Sequence, residues 1–297
     1  MTLSHLYINA FSIFGLPIRW YGLAFVAAYT GGYIWMLRSK QLKDGEAEDL
    51  LFWLGLGMVL GARAGFLLAA ALDGLGQQYL ANPGQMLAIW QGGLSFHGGL
   101  FGAAAALVLW VRKINNKYRH SEPLSRVGGA TKGEEPRLQS NAPRLSLARL
   151  TDQLVLILPF GGTLVRLANF FAGDLRGKLS GPGLLAARFP DEEISRLPYQ
   201  LIDALSYLVL GLFLIWFYRR VYSGNSRLAK TNPRWGGGTI SLAFLVGVLI
   251  LRFLTDFARE PTLLVLRLTP AQWFSLVALV LIAAISLFRA KKKSTRV

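Results

Sequence analysis

The 297-residue chain contains no cysteine and only three histidines. The absence of cysteine excludes disulfides, thiolate metal sites and a cysteine nucleophile supplied by the chain itself. Acidic residues are also scarce, 16 against 32 basic ones, and the formal net charge is +16. Such a charge is typical of nucleic-acid binding, but in a protein with several membrane spans it is better explained by basic residues retained on the cytoplasmic side. We therefore expect no nucleic-acid partner.

Several signatures of soluble enzymes are missing as well. The sequence has no Gly-x-Ser-x-Gly nucleophile elbow, no His-Glu-x-x-His zinc motif and no phosphate-binding glycine loop. These absences argue against a serine hydrolase, a zinc protease and a nucleotide-binding enzyme. We expect neither a metal nor a cofactor.

Long hydrophobic runs are what the sequence has in abundance. Hydrophobic residues make up 53% of the chain and the mean hydropathy is +0.40, above the usual range of soluble proteins. A membrane span needs about 20 consecutive apolar residues. No basic stretch followed by a short apolar core and a cleavage site is present, so we expect the first span to insert the protein itself. The sequence predicts an all-α polytopic membrane protein of one domain with about seven transmembrane helices: Ile18–Leu37, Leu50–Leu72, Leu94–Val111, Leu150–Phe171, Pro198–Phe217, Gly238–Phe257 and Thr269–Phe288.

The basic residues predict the orientation of these spans. Most of them lie in residues 38–49, 112–149, 218–234 and the tail after Phe288, which seven spans place on one side. The positive-inside rule makes that side cytoplasmic, so the N-terminus is expected outside and the C-terminus in the cytoplasm.

Two connecting segments stand out by length. Residues 113–148 are polar, rich in Gly, Pro and Ser, and lack periodicity, so we predict a disordered cytoplasmic insert there. Residues 172–197 are the largest outward-facing segment and are predicted to form a small extracytoplasmic cap.

Ionisable side chains near the outer span ends suggest a functional site. Charged groups inside a bilayer cost at least ~2.5–3.5 kcal/mol, so they need a partner or a task. Tyr21, His97, Arg166, Asn169 and Arg259 come from four distant segments, yet the predicted topology brings them to one membrane level. Two arginines can hold a phosphate group, and a nearby histidine can accept or carry a proton. We predict a polar site in the outer leaflet.

Structural explanations compete with this one at several positions. Arg63 lies in mid-span and is expected to pair with an interior carboxylate or a ligand. Asp152 fits the capping of a helix start, and Asp203 and Asp256 fit structural partners of arginines. The glycines at 92, 93, 98 and 99 around His97 fit either close helix packing or close approach of a ligand.

Six motifs, in matching order over about residues 15–290, resemble those of the bacterial prolipoprotein diacylglyceryl transferases. They are IRWYGLAF at 18–25, LGARAGF at 60–66, GGLSFHGGLFG at 92–102, RLANFFAGDLRGK at 166–178, PYQLID at 198–203 and FAREP at 257–261. The sequence departs from the family pattern at Val165, Ala168, Ala172, Asp174, Ile202 and Asp203.

The resemblance implies an activity in the bacterial inner membrane. The family moves the diacylglyceryl group of phosphatidylglycerol to the lipobox cysteine in the signal peptide of a preprolipoprotein and releases glycerol phosphate. By resemblance, Arg166 and Arg259 hold the phosphate, and Asn169 and Tyr21 orient the reactants. His97 either takes the thiol proton or holds the start of its helix. Further substrate or lipid contacts are implied at Arg63, Gly98, Gly99, Asp174, Gly177 and Gln200.

Two other function classes remain possible from the sequence. The departures from the family pattern would fit a catalytically weak or inactive paralogue that binds anionic phospholipid. An anion transporter would also use intramembrane arginines, but it requires polar residues through the full depth of several spans. Here they concentrate at the outer ends, which disfavours a transporter.

Overall fold

A computed structural model describes residues 9–38, 42–43, 45–74, 76–89, 92–121, 125–126, 138–139, 145–181, 183, 186–189, 192–222, 237–261 and 263–294. Helices dominate, as predicted. They are α1 Trp20–Leu37, α2 Glu46–Leu72, α3 Gly76–Ala81, α4 Pro83–Leu87, α5 Phe96–Ser121, α6 Leu147–Leu154, α7 Leu158–Ala172, α8 Tyr199–Tyr222, α9 Thr239–Thr255 and α10 Pro270–Ser294.

The strands are short and pair in two antiparallel hairpins. β1, Asn9–Ile13, pairs with β2, Leu16–Arg19, directly before α1. β3, Ser125–Arg126, pairs with β4, Leu138–Gln139. The prediction of an all-α polytopic membrane protein is confirmed.

Five helical segments in the described part of the chain are long and apolar enough to cross a membrane: Glu46–Leu72, Leu147–Ala172, Tyr199–Tyr222, Thr239–Ala258 and Pro270–Phe288. The two other predicted spans are also helical, in α1 and α5, but do not belong to this set. The protein is therefore a multi-pass membrane protein, and crossing by α1 and α5 stays a prediction.

One predicted span is interrupted. The sequence predicted a continuous helix over Leu150–Phe171, whereas α6 ends at Leu154 and α7 begins at Leu158. Pro159 explains the break, because proline has no N–H to donate to Val155 and its ring clashes with that carbonyl. The break separates the half of the segment that carries Asp152 from the half that carries Arg166.

The segment predicted as a disordered insert begins with a helix. α5 continues through Lys113–Ser121, which the prediction for 113–148 had included. Asn115 fixes this part, since its amide donates to the Leu145 carbonyl at 3.1 Å and accepts from the Leu145 N–H at 2.8 Å. Residues 122–124, 127–137 and 140–144 lie outside the described residues, so disorder there stays a prediction.

The chain divides into two compact units. The first comprises residues 1–35 and 151–297, and the second comprises residues 36–150. The core of the first unit contains the buried side chains of Leu156, Leu210, Leu214, Val221 and Ile240.

Asp152 fixes the start of α9 within the first unit. Its carboxylate accepts the N–H groups of Gly238 at 2.9 Å and Ser241 at 2.8 Å, and the hydroxyls of Ser241 and Tyr222 at 2.7 and 2.6 Å. The capping role considered for Asp152 is thus observed, but on a helix distant in sequence.

Glycines hold α2 and α5 together in the second unit. A Cβ atom on Gly98 would lie 2.3 Å from the Gly61 carbonyl oxygen, and one on Gly102 would lie 2.0 Å from that of Gly57. Neither position can accept a side chain while the two backbones are this close. The structure thus supports helix packing as the role of Gly98, and a ligand contact at Gly98 or Gly99 stays a prediction.

Candidate functional site

The site in the first unit begins with a buried ion pair between α7 and α8. Arg166 Nε lies 2.5 Å from Asp203 Oδ2, and the Asp203 side chain is only 3% exposed. The other carboxylate oxygen of Asp203 accepts the Thr255 hydroxyl from α9 at 3.1 Å. Asp203 is therefore a partner of an arginine, as predicted, and it joins three helices. Because the Asp203 carboxylate is buried, loss of Arg166 would leave an uncompensated buried charge.

A second arginine extends this pair along α9. Arg252 Nη1 donates to the Tyr199 hydroxyl at 2.8 Å, and that hydroxyl lies 3.4 Å from Asp203 Oδ2. Arg252 Nη2 lies 3.2 Å from Asp256 Oδ1, one helical turn further on. The guanidinium thus uses two different nitrogens to connect Tyr199 with Asp256.

A third arginine reaches the same carboxylate. Arg259 Nη1 lies 3.9 Å from Asp256 Oδ1, and the Thr269 hydroxyl donates to Asp256 Oδ2. We call the resulting set the arginine network; its three arginines against two aspartates leave one excess positive charge. Its members are Arg166, Asp203, Tyr199, Arg252, Asp256 and Arg259.

An open cavity of about 200 Å³ adjoins the network. The Arg259 side chain is 29% exposed, whereas Asp256 is 1% exposed, so the cation faces the cavity while its carboxylate partner is buried. A small anionic group could therefore reach Arg259. The lining residues are Asp256, Arg259, Glu260, Pro261, Thr269, Pro270 and Ala271.

A second polar cluster lies at the end of α7. Gly173 adopts φ 74° and ends the helix, after which the chain turns back so that the Asp174 N–H donates to the Asn169 carbonyl at 2.9 Å. The Tyr21 hydroxyl is placed between Asn169 Oδ1 and Asp174 Oδ2, the latter at 2.8 Å. Gln200 Nε2 donates to the Asp174 carbonyl at 2.6 Å.

Two buried amide atoms of this cluster lack a partner. Among the described residues, neither Nδ2 of Asn169 nor Oε1 of Gln200 has a hydrogen bond, although the residues are 2% and 0% exposed. A phenol carries one proton, so Tyr21 cannot donate to both of its acceptors at once. If the Asn169 amide is rotated by half a turn, its Nδ2 donates to the Tyr21 hydroxyl and the hydroxyl donates to Asp174. In that arrangement the Oδ1 atom of Asn169 has no partner instead. Either way an amide atom of Asn169 is available to a ligand.

The two clusters are neighbours through helix geometry. Asn169 follows Arg166 by three residues on α7, and Gln200 precedes Asp203 by three residues on α8. Residues three apart share a helix face. The first unit thus brings Tyr21, Asn169 and Arg166 together, and their roles in a functional site stay a prediction.

Gly177 connects the chain after α7 to the segment that carries Arg259. A Cβ atom there would lie 2.3 Å from the Leu197 carbonyl oxygen and 2.9 Å from that of Ala258. Gly177 also forms a bridge with Arg259, and the Lys178 N–H donates to the Ala258 carbonyl at 3.0 Å. Only glycine permits this approach, so the structure supports a packing role at Gly177.

Arg196 holds the predicted cap together. Its guanidinium lies 2.5 Å from Glu192 and 2.8 Å from Glu260, and it donates to the Gly177 carbonyl at 3.0 Å. The hydrogen bond from Arg196 holds the pKa of the Glu192 carboxyl below its usual value, and Arg176, 2.8 Å away, acts in the same direction.

His97 and Arg63 belong to the second unit. His97 lies in the first turn of α5 with an exposed side chain. Arg63 donates to the carbonyls of Met86, Gly92 and Gly93 at 2.8 to 2.9 Å, and also to that of Gln85. Arg63 thus pairs with backbone carbonyls and not with a carboxylate, and its contact with a ligand stays a prediction.

The Asp174 carboxylate accepts the Tyr21 hydroxyl, and the substrate or lipid contact implied for Asp174 stays a prediction. Arg252, Tyr199 and Thr255 were not selected from the sequence, although the structure places them in or against the arginine network. The spacing of Arg252, Asp256 and Arg259 was the available signal, since residues four and three apart lie on one helix face.

Fold and site together define a class: a multi-pass membrane protein with an arginine-rich polar site where several of its helices end. The family model of prolipoprotein diacylglyceryl transferase matches residues 9–121 and 137–288, so the chain belongs to this family.

Similar proteins cover nearly the whole chain. A protein of Idiomarina loihiensis is 33% identical over 294 residues, which cover 95% of this chain and 92% of the relative. One of Dechloromonas aromatica is 31% identical and covers 96% of both chains. One of Rhodospirillum centenum is 34% identical over 83% of this chain and 76% of the relative. Each is named phosphatidylglycerol–prolipoprotein diacylglyceryl transferase. The family resemblance is confirmed.

Proposed function

We propose that this protein transfers the diacylglyceryl group of phosphatidylglycerol to the lipobox cysteine thiol of a preprolipoprotein. A carbon–sulfur bond forms while the bond between the glycerol carbon and the phosphate oxygen breaks, and glycerol phosphate leaves. The relatives' names supply the substrates. The observation that carries the proposal is the arginine network, whose excess positive charge borders an open cavity.

The leaving group explains why positive charge is needed. Negative charge develops on the phosphate as it departs, and charged donors already held in place stabilise that charge without reorganising. Arg166 and Arg252 are held by buried carboxylates, and Arg259 opens to the cavity. We assign the phosphate to Arg259 and Arg166, with Arg252 as the residue that connects them.

The second cluster suits the neutral parts of the substrates. Asn169 and Gln200 each carry an unpaired buried amide atom, and Tyr21 joins Asn169 to Asp174. These groups can hydrogen-bond glycerol hydroxyls, ester carbonyls or the incoming thiol. This supports the roles proposed for Tyr21 and Asn169.

The nucleophile has to come from the substrate, because the chain has no cysteine. A thiol with a pKa of about 8.5 is mostly protonated at neutral pH, so transfer requires a base or a strong positive field. In our proposal His97 receives this proton, directly or through water. The competing role is structural, at the start of α5. A His97→Ala variant that folds but transfers slowly supports the first role, and one that transfers normally supports the second.

We further propose that the protein resides in the bacterial inner membrane, with its N-terminus outside and its C-terminus in the cytoplasm. The distribution of basic residues supports this orientation. It places the arginine network and the cap, residues 172–197, on the outer side and the insert, residues 113–148, in the cytoplasm. Phosphatidylglycerol and the signal peptide would then meet at the outer leaflet.

The test combines the purified protein with phosphatidylglycerol vesicles and a lipobox peptide that carries one cysteine. Mass spectrometry should detect a diacylglyceryl adduct on this peptide but not on a peptide with serine instead. An active family member, run in parallel, controls the assay. If the protein binds phosphatidylglycerol but forms no adduct, the proposal is wrong and a lipid-binding paralogue replaces it.

A further inference from the structure

Residues Leu263–Leu268 form a tight hairpin between α9 and α10. The Val265 N–H donates to the Leu268 carbonyl at 2.8 Å, and the Leu268 N–H returns to the Val265 carbonyl at 3.1 Å. Leu266 and Arg267 form the tip with φ 49° and 66°. Trp273 Nε1 also donates to the Val265 carbonyl at 2.8 Å, which fastens the hairpin to the first turn of α10.

The residues of this hairpin are unusual for a turn in water. Two successive positive φ values are normally taken by Gly, Asn or Asp, and bulky side chains pay a strain cost there. Leu263, Leu264, Val265 and Leu266 are nevertheless between 48% and 81% exposed. A run of exposed apolar residues on a strained turn is unfavourable in water unless something covers it.

Chain connectivity indicates what covers it. The segments before and after the hairpin, Thr239–Ala258 and Pro270–Phe288, are both long and apolar enough to cross a membrane. A short connection between two spans lies at the bilayer surface. Each of these segments also carries an exposed phenylalanine near the end that faces the hairpin in sequence: Phe257 is 49% exposed and Phe274 is 71% exposed. Tryptophan and basic side chains are typical of the headgroup level of a bilayer, and the hairpin has Trp273 beside it and Arg267 at its tip.

We propose that Leu263–Leu268 is an interfacial anchor: its apolar tip lies in the headgroup–acyl boundary of the adjoining leaflet, and Arg267 contacts lipid phosphates. Thr269 and Pro270, which directly follow the anchor, line the cavity. The anchor therefore holds the cavity at the depth of lipid headgroups. This inference does not depend on the proposed transfer reaction.

The absence of cysteine allows a direct test. A Leu266→Cys variant is labelled with an environment-sensitive fluorophore and reconstituted in vesicles of phosphatidylcholine and phosphatidylglycerol. The matched control is Glu193→Cys, an exposed position in the cap. Lipids with a spin label at the headgroup or deep in the acyl chain report depth, and aqueous iodide reports contact with water.

We expect the label at position 266 to emit at shorter wavelength than the label at 193, to be quenched most by the headgroup spin label and to be protected from iodide. Equal iodide quenching at both positions would overturn the anchor. So would strongest quenching by the deep spin label. A wavelength shift that appears only after an apolar peptide is added would also overturn it, by identifying a protein partner instead of lipid.

Discussion

At the scale of single residues, the Tyr21 hydroxyl shows how one polar atom organises a site. It joins Asn169, in the last turn of α7, to Asp174 in the turn that follows. Removing it leaves a buried acceptor on Asn169 without a partner, and such a loss costs about 1–3 kcal/mol. Tyr29 lies on the same helix with 53% exposure and serves as the matched control.

We therefore expect Tyr21→Phe to lower the free energy of unfolding by about 1–3 kcal/mol and to slow transfer, while Tyr29→Phe changes neither. Thermal unfolding in detergent and the adduct assay provide the two measurements. Equal melting temperatures for the two variants would show that the hydroxyl does not support the site.

Single residues also show what could be predicted from the sequence. Arg166, Asn169 and Tyr21 were selected because charged and polar groups at span ends need a reason. Arg252 is not among the residues that the sequence predicts for the site, and its partner Tyr199 lies 53 positions away in sequence, on another helix. Pairing of that kind depends on helix packing, which the sequence alone does not supply. The partners of Arg63 could not be predicted for another reason: they are backbone carbonyls, which carry no sequence signal.

At the scale of elements, glycines on α2 determine how closely α5 approaches. A Cβ atom on Gly57 would lie 2.6 Å from the Gly102 carbonyl oxygen and 2.5 Å from the Ala106 side chain. Gly55, on the same helix, has nothing within 4 Å of that position. Overpacking of a tight contact typically costs about 1–3 kcal/mol.

Gly57→Ala should therefore destabilise the protein by at least about 1 kcal/mol, whereas Gly55→Ala should leave its melting temperature nearly unchanged. Thermal unfolding of the two variants in the same detergent gives the comparison. Indistinguishable melting temperatures would mean that the α2–α5 contact is looser than described.

The cap should respond to acid through Glu192. The pKa of Glu192 is lower in the folded than in the unfolded state, so the ionised carboxylate stabilises the fold at pH values above the ordinary pKa of a carboxyl group. This contribution is lost as the pH falls through the pKa of the folded state. Wild-type protein should lose more thermal stability than Glu192→Gln between about pH 7 and pH 3. The exposed neighbour Glu193→Gln should behave like wild type. Equal acid sensitivity of wild type and Glu192→Gln would contradict this prediction.

The hydrophobic runs in the sequence predict where the helices lie, but they do not predict the residues at which the helices begin and end. Apolar length locates a span, but Pro159 divides one of them and polar contacts extend α5 to Ser121. These features depend on backbone hydrogen bonds and on side chains such as Asn115, whose partner is distant in sequence. The hairpin at Leu263–Leu268 escaped prediction because leucine does not indicate a turn.

At the scale of the whole molecule, charge and hydropathy determine the class of protein, and the arginine network determines the chemistry we propose. In a multi-pass membrane protein, the retention of basic residues on the cytoplasmic side explains the excess of positive charge without a nucleic-acid partner. The charged groups of the arginine network lie where α7 and α9 end and α8 begins, and the contacts of Asp152 lie at the opposite ends of α8 and α9. That distribution suits a reaction at a lipid headgroup better than a path through the membrane.

The most direct test of this account is adduct formation by Arg252→Lys. Arg252 contacts Tyr199 and Asp256 through two different nitrogens, and a lysine ammonium cannot reproduce that planar fork. Because this change misplaces the phosphate-binding Arg166 and Arg259, we predict that the rate of diacylglyceryl transfer falls by roughly 100-fold, while Arg149→Lys, at an exposed position outside the network, keeps the wild-type rate. Wild-type transfer by Arg252→Lys would contradict the claim that the arginine network is the site of the reaction.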